Sequence, residues 1–200
     1  LHYNIAMDLG ISEWAKHVFD EIESIFKEID NILKGIYYIQ DFSPRTKDKL
    51  LSFGENLSAL IIHYYFYDRF KGNSLLMDAI NYIKTDSNHN NAKPNFKKTE
   101  SGVKQFIQRI CNNDLIITSG FIGSDIDGNI TTLGRGGGDY TAAIIGYCLN
   151  SEKVEIWTDV DGIMSSDPRK VKTAFNLQKI TYKEMLELSH YGANVIYTPT

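Results

Sequence analysis

The sequence predicts an α/β domain with a mainly parallel sheet, entered through a helical N-terminal part. Three observations predict it. Apolar residues recur at three- and four-residue spacing through the first third of the chain. Later, two short apolar and β-branched runs, 115–118 and 154–157, each lead into polar, glycine-bearing turns. Between them, Gly134-Arg135-Gly136-Gly137-Gly138-Asp139 sits where a strand passes into a helix, the place where α/β proteins build phosphate and nucleotide sites.

The elements follow in order. Residues 9–38 read as one helix, with Ile22, Ile25, Phe26, Ile29, Ile32 and Leu33 on one face and Gly35 near its end. Ser43-Pro44 starts a second helix over 45–70, carrying Leu50, Leu51, Leu57, Leu60, Ile61 and Tyr64. Its run His63-Tyr64-Tyr65-Phe66-Tyr67 reads as a core or subunit-contact face rather than a ligand stack, and His63 as a packed histidine. Residues 75–83 are a strand or a helix edge. Residues 84–98 are an asparagine-rich loop, either a disordered insert or a mobile lid. A helix over 101–110 follows, then a buried strand over 115–118. Segments 121–126 and 129–133 flank Asp127-Gly128, the signal of a two-residue hairpin. A helix over 140–149, a strand over 154–157, and a helix over 183–191 capped by Thr181 with Glu184 complete the chain.

Composition narrows the function. Two hundred residues, 42% hydrophobic, suffice for one packed core and one domain. A net charge of -4 argues against a nucleic-acid surface. No run of about 18 apolar residues predicts a membrane span, and no leader is visible. Cys111 and Cys148 lack metal-ligand spacing and read as buried thiols in a reducing compartment, the cytoplasm. No metal-ligating set is predicted. The chain starts at Leu1 and stops in mid-pattern at both ends, which predicts a piece of something longer.

Four glycines and an arginine before a helix suit an anion. Glycines let backbone N–H groups approach it, the helix N-terminus adds positive potential, and Arg135 can hold a carboxylate or phosphate bidentately. The run matches neither G-x-x-x-x-G-K-[ST] nor G-x-G-x-x-G. A tight turn needing positive φ is the alternative, and Arg135 and Asp139 among the glycines favour a site. The turn Thr158-Asp159-Val160-Asp161-Gly162 puts two carboxylates past a strand end, to orient a ribose, hold Mg²⁺ through water or position a lysine, unless it is ordinary turn chemistry. Arg169 in Asp167-Pro168-Arg169 adds a cation fit for a polyphosphate. Together these point to phosphoryl transfer without a P-loop.

The motifs Gly120-Phe121-Ile122-Gly123, Thr131-Thr132-Leu133-Gly134-Arg135-Gly136-Gly137, Asp139-Tyr140-Thr141-Ala142-Ala143, Trp157-Thr158-Asp159-Val160-Asp161-Gly162-Ile163 and Asp167-Pro168-Arg169 closely resemble aspartate kinase, of the amino acid kinase superfamily. So does Ser52-Phe53-Gly54-Glu55, and the resemblance runs from about 43 to 199. It implies a three-layer αβα sandwich around a mainly parallel sheet. It also implies transfer of phosphate from MgATP to the β-carboxylate of L-aspartate, the first step toward lysine, threonine and methionine. By resemblance, Glu55, Phe121, Arg135, Gly136, Gly137 and Gly138 bind the substrate, with Arg135 and Asp139 in the catalytic constellation. Thr158, Asp159, Met164, Arg169 and Asn194 then bind the nucleotide.

The chain departs from that pattern at several places. The family's Lys-Phe-Gly-Gly-Thr-Ser segment, whose lysine neutralises the transferring phosphate, is absent from the 200 residues. They therefore read as a partial catalytic domain, inactive alone, with ACT regulatory domains and a possible fused homoserine dehydrogenase outside it. Gly138 stands where the family usually has Ser, Met164 where an aromatic is frequent, Asn194 where a lysine is usual, and His89-Asn90 where Phe-Gly is usual. A homodimer is expected. The competing expectations are another superfamily kinase, such as one acting on acetylglutamate or uridylate, and a non-catalytic binding subunit of the same fold.

Overall fold

The computed structural model describes residues 1–11, 16–70, 72–110, 115–158, 162–166, 170–190 and 200. Two helices come first, α1 (His2–Asp8) and α2 (Lys16–Ile39). Of the helix expected over 9–38, residues 9–11 are not helical and the described helix covers 16–39. Gly35 does not end it: α2 runs on to Ile39, and Gln40 adopts the terminal positive φ of 55°. The next helix, α3 (Pro44–Arg69), begins as its sequence prescribes. The Ser43 hydroxyl accepts the Thr46 N–H at 3.2 Å, and Pro44 takes the first helical position. Val18 and Ile22 of α2 pack on Leu57, Leu60 and Ile61 of α3, with Ala6 and Ile11, in a helical core.

Residues 75–83 resolve into both alternatives. β1 (Ser74–Met77) pairs in parallel with β2 (Leu115–Thr118), Ser74 opposite Leu115, and the one-turn helix α4 (Ala79–Tyr82) follows on an Asp78 cap. Segment 84–98 is neither a free lid nor an insert without structure. Lys84 bridges to Ser124 and Thr85 to Pro94, the Thr85 and Thr131 hydroxyls meet at 2.7 Å, and the Ala92 N–H reaches the Thr132 carbonyl at 2.9 Å. These bonds satisfy the polar backbone that composition alone assigns to solvent. Asn95 then caps α5 (Phe96–Ile107), which starts ahead of the expected 101.

The hairpin strands are β3 (Ile122–Ser124) and β4 (Ile130–Thr132), antiparallel with Ile122 opposite Thr132. Its loop is longer than the two residues expected. Asp125 and Asn129 close it, Gly128 turns at φ 80°, and the Asp125 carboxylate accepts the N–H groups of Asp127 and Asn129 and the Asn129 amide. Burial alone would raise the Asp125 pKa. The hydrogen bonds from Asn129, Ser87 and Asp127 outweigh it and hold the carboxyl below its usual range.

α6 (Gly137–Leu149) begins inside the glycine run, ahead of the expected 140. Residues 154–157 form no strand. Lys153 pairs with Glu155, the Trp157 indole donates to Glu155 at 3.3 Å, and Trp157 is 88% exposed, so its apolar pattern finds no ladder. The last helix, α7 (Tyr182–His190), opens on the expected capping box: the Thr181 hydroxyl accepts the Glu184 N–H at 3.3 Å while Glu184 accepts the Thr181 N–H at 2.8 Å.

Ala79, Ile83, Val103, Ile122, Leu133, Ile144 and Cys148 make a second core under the hairpin and α6. The α/β expectation holds, with one parallel pair and one antiparallel hairpin among the described residues. No helix there is long and apolar enough to cross a membrane.

Candidate functional site

The site is built where β4 hands the chain to α6. Gly136 caps α6 in a left-handed conformation, φ 74° and ψ 13°, which an L side chain would strain. The Gly137 N–H closes the turn on the Gly134 carbonyl at 3.0 Å. The N–H groups of Gly138 and Asp139, next in the first helical turn, meet no acceptor among the described residues. They are the open donors every helix start leaves, directed outward from the glycine turn. Arg135 is exposed beside them and makes no ion pair among the described residues. The third residue of α6, Asp139, places a half-buried carboxylate in favourable interaction with the helix dipole.

Phe121 meets this turn from below. Its backbone is left-handed, φ 69°, which is rare for an aromatic residue. The conformation is fixed by its N–H, shared between the Gly137 carbonyl at 3.2 Å and the Thr141 hydroxyl at 2.9 Å, and by its carbonyl, which accepts the Leu133 N–H at 2.8 Å. Strain of this kind persists only where the surroundings over-determine it. A Cβ on Gly137 would lie 2.8 Å from the Phe121 ring, so glycine is required there by contact rather than by φ. Gly138 has nothing within 4 Å of its own Cβ position. The structure therefore brings Phe121, Arg135, Gly136, Gly137, Gly138 and Asp139 together.

Glu55 comes from α3, which packs on β1 and β4. Its carboxylate is half-buried, pushed up in pKa by that burial, and makes no hydrogen bond or ion pair among the described residues. An unpaired carboxylate on a partly desolvated face favours a cation that arrives with a ligand. His63, two turns further along α3, bonds the Ser74 hydroxyl at 3.1 Å and stacks near Tyr64 and Tyr67. It is the packed histidine the sequence implies, its pKa lowered by burial.

The expected nucleotide residues divide. Met164 lies in a segment bridged to Asn176, with the Ser165 N–H on the Phe175 carbonyl at 2.8 Å, and Thr158 is exposed just upstream. Asp159, Asp161, Arg169 and Asn194, like Cys111, lie outside the described residues. Cys148 is buried, with its thiol pKa raised by desolvation, and takes no part. A half-open cavity of about 500 Å³ lies elsewhere, between the end of α2, the start of α3 and the hairpin loop, lined by Ile36, Ile39, Arg45 and Asn129 among others. It sits at the end of the hairpin opposite the glycine turn.

Sequence reasoning missed Asp48. Fully buried, it accepts hydrogen bonds from His89, the Asn90 N–H and the Thr132 hydroxyl. An aspartate in the first turns of a helix is so ordinary that no local signal marks it. The one pointer is that the turn-rich segment 84–98 carries more amide and imidazole donors than solvent requires.

Residues 8–200 match the family model described as the amino acid kinase family. The chain belongs to that family. The likeness to aspartate kinases is borne out as well. The chain is 36% identical over 182 residues to lysine-sensitive aspartokinase 3 of Escherichia coli, covering 88% of this chain and 40% of that protein. It is 33% identical over 184 residues to the bifunctional aspartokinase/homoserine dehydrogenase of Buchnera aphidicola, covering 90% of this chain and 22% of the other. Among solved structures, E. coli aspartokinase III in complex with aspartate and ADP (R-state) superposes at a TM-score of 0.89 and 33% identity, over 99% of this chain and 44% of that one. The 200 residues thus span less than half the length of each of these relatives.

Proposed function

We propose that the full-length protein is an aspartate kinase, which transfers the γ-phosphoryl group of ATP to the β-carboxylate of L-aspartate. One observation carries this reading: the glycine turn presents two helical N–H groups and a guanidinium that meet no partner among the described residues, in a fold whose solved relative holds aspartate and ADP. In this assignment Arg135 pairs with a carboxylate of the substrate, and the open amides of Gly138 and Asp139 support the anion. Glu55 receives the substrate ammonium, the cation its half-buried carboxylate lacks. Phe121 and Gly136-Gly137 fix the floor against which the substrate lies.

Such transfer needs alignment and charge neutralisation rather than a protein nucleophile, and the described site has none. Thr158 and Met164, with Asp159, Arg169 and Asn194, are assigned to the nucleotide. Bound Mg²⁺ would neutralise the phosphate oxygens. The 200-residue stretch alone is assigned no turnover, because the family places an ammonium at the transferring phosphate and none of the assigned residues here supplies one. The same reading takes in a partial catalytic domain, homodimeric association, ACT or homoserine dehydrogenase domains elsewhere in the protein, and a cytoplasmic role at the head of lysine, threonine and methionine synthesis.

The test follows aspartyl phosphate by hydroxamate trapping with the full-length protein, MgATP and L-aspartate. Arg135→Ala is expected to lower kcat/KM about a hundredfold or more. Nucleotide binding without aspartate-dependent turnover in the unmutated protein would replace this reading with a binding subunit. Turnover confined to another carboxylate in a substrate panel would replace it with a different kinase of the family.

A further inference from the structure

We infer that Asp48 is a positioning residue that sets the substrate half of the site, by pinning the Glu55 helix and the 84–98 segment to the strand that delivers the glycine turn. The inference rests on the aspartate kinase reading. Asp48 is 0% exposed, and both its oxygens are used: Oδ1 accepts the Thr132 hydroxyl at 2.6 Å, Oδ2 accepts His89 Nδ1 at 2.8 Å, and the Asn90 N–H points at both, at 3.1 and 3.0 Å. A carboxylate taken wholly out of water persists only when its oxygens are satisfied in this way.

The three donors come from two parts of the site. Thr132 is the last residue of β4 and stands two residues before Gly134 and three before Arg135. His89 and Asn90 belong to the segment that lies on the glycine turn. A Cβ on Gly134 would fall 2.9 Å from the Asn91 side chain and 3.3 Å from the Asn90 carbonyl. Asn90 is itself left-handed, φ 67°, a turn conformation that asparagine tolerates better than most residues and that aims its N–H at Asp48. On α3, Asp48 and Glu55 are seven residues apart, about two turns, and so share a face. A shift of the Asp48 anchor therefore moves Glu55 relative to Arg135.

The donors to Asp48 are Thr132, His89 and Asn90, none of them assigned to the nucleotide, and that separates positioning from general stability. The substitution Asp48→Asn replaces one acceptor oxygen with an amide NH2 that faces N–H or O–H donors, and Thr132→Val removes the shortest bond while keeping a β-branched strand residue. In the full-length protein both are expected to raise KM for aspartate, about tenfold or more for Asp48→Asn and less for Thr132→Val, with KM for ATP within about twofold. Unchanged aspartate KM in a folded Thr132→Val protein overturns the inference. So does a parallel loss in aspartate KM, ATP KM and kcat. If the unmutated protein turns over no aspartate, the kinase reading fails separately. Amide exchange then still tests the clamp: about tenfold faster exchange at Asn90 and Gly137 in Thr132→Val supports it, and unchanged exchange overturns it.

Discussion

At Glu55 the protein carries a carboxyl group that it would rather keep neutral. Burial raises the pKa from its ordinary 4.5, so the folded chain holds that proton more tightly than the unfolded chain. Stability therefore falls as pH rises through the window just above 4.5, and the deficit persists at neutral pH. Glu55→Gln is expected to melt higher than the parent at pH 7, with the difference shrinking below the ordinary carboxylate range, while KM for aspartate rises. Thermal melts at the two pH values, beside initial rates, check both halves. Gly138 offers the opposite experiment. Its Cβ position is open, so Gly138→Ser should change stability by less than about 0.5 kcal/mol. The new hydroxyl joins the open amides, and the aspartate KM is expected to fall.

At the scale of elements, α6 and the hairpin are joined by a contact that admits no side chain. Gly137→Ala would place a methyl 2.8 Å from the Phe121 ring and 3.1 Å from its Cα, where backbone cannot yield cheaply. A loss of about 1–3 kcal/mol is expected in urea melts, with aspartate turnover falling further than stability. Much of this was legible. Ser43-Pro44 and the Thr181–Glu184 pair announced their helices because capping is local chemistry written within four residues. The glycine turn was legible for the same reason. What was not legible depends on a distant partner. Residues 154–157 have a strand's pattern, yet Val154 is 45% and Trp157 88% exposed, because pattern declares a preference and a ladder requires a neighbour. Asp48 was silent because its donors lie 41, 42 and 84 residues away. Only the resemblance to a family assigns Glu55 to the proposed site, since composition gives one helical glutamate no distinction over another.

Over the whole molecule the two hydrophobic cores divide the labour. Ile22 and Leu57 hold the helical part, and Ile122, Leu133 and Ile144 hold the floor of the glycine turn. Leu57→Ala, at a side chain 2% exposed, is expected to cost about 2–5 kcal/mol in equilibrium unfolding while aspartate KM at low temperature stays near the parent value. The Thr132–Asp48 bond has a further consequence, in time rather than in space. It closes 84 residues of chain, whereas the bonds within α2 and α3 span only a turn. Helical signal should therefore return early on dilution from denaturant, and the glycine turn should acquire its geometry only when that long loop shuts. Stopped-flow refolding would then show far-ultraviolet ellipticity recovering ahead of aspartate binding. The newly made chain would pass through a helical species that has its secondary structure before it can recognise a substrate.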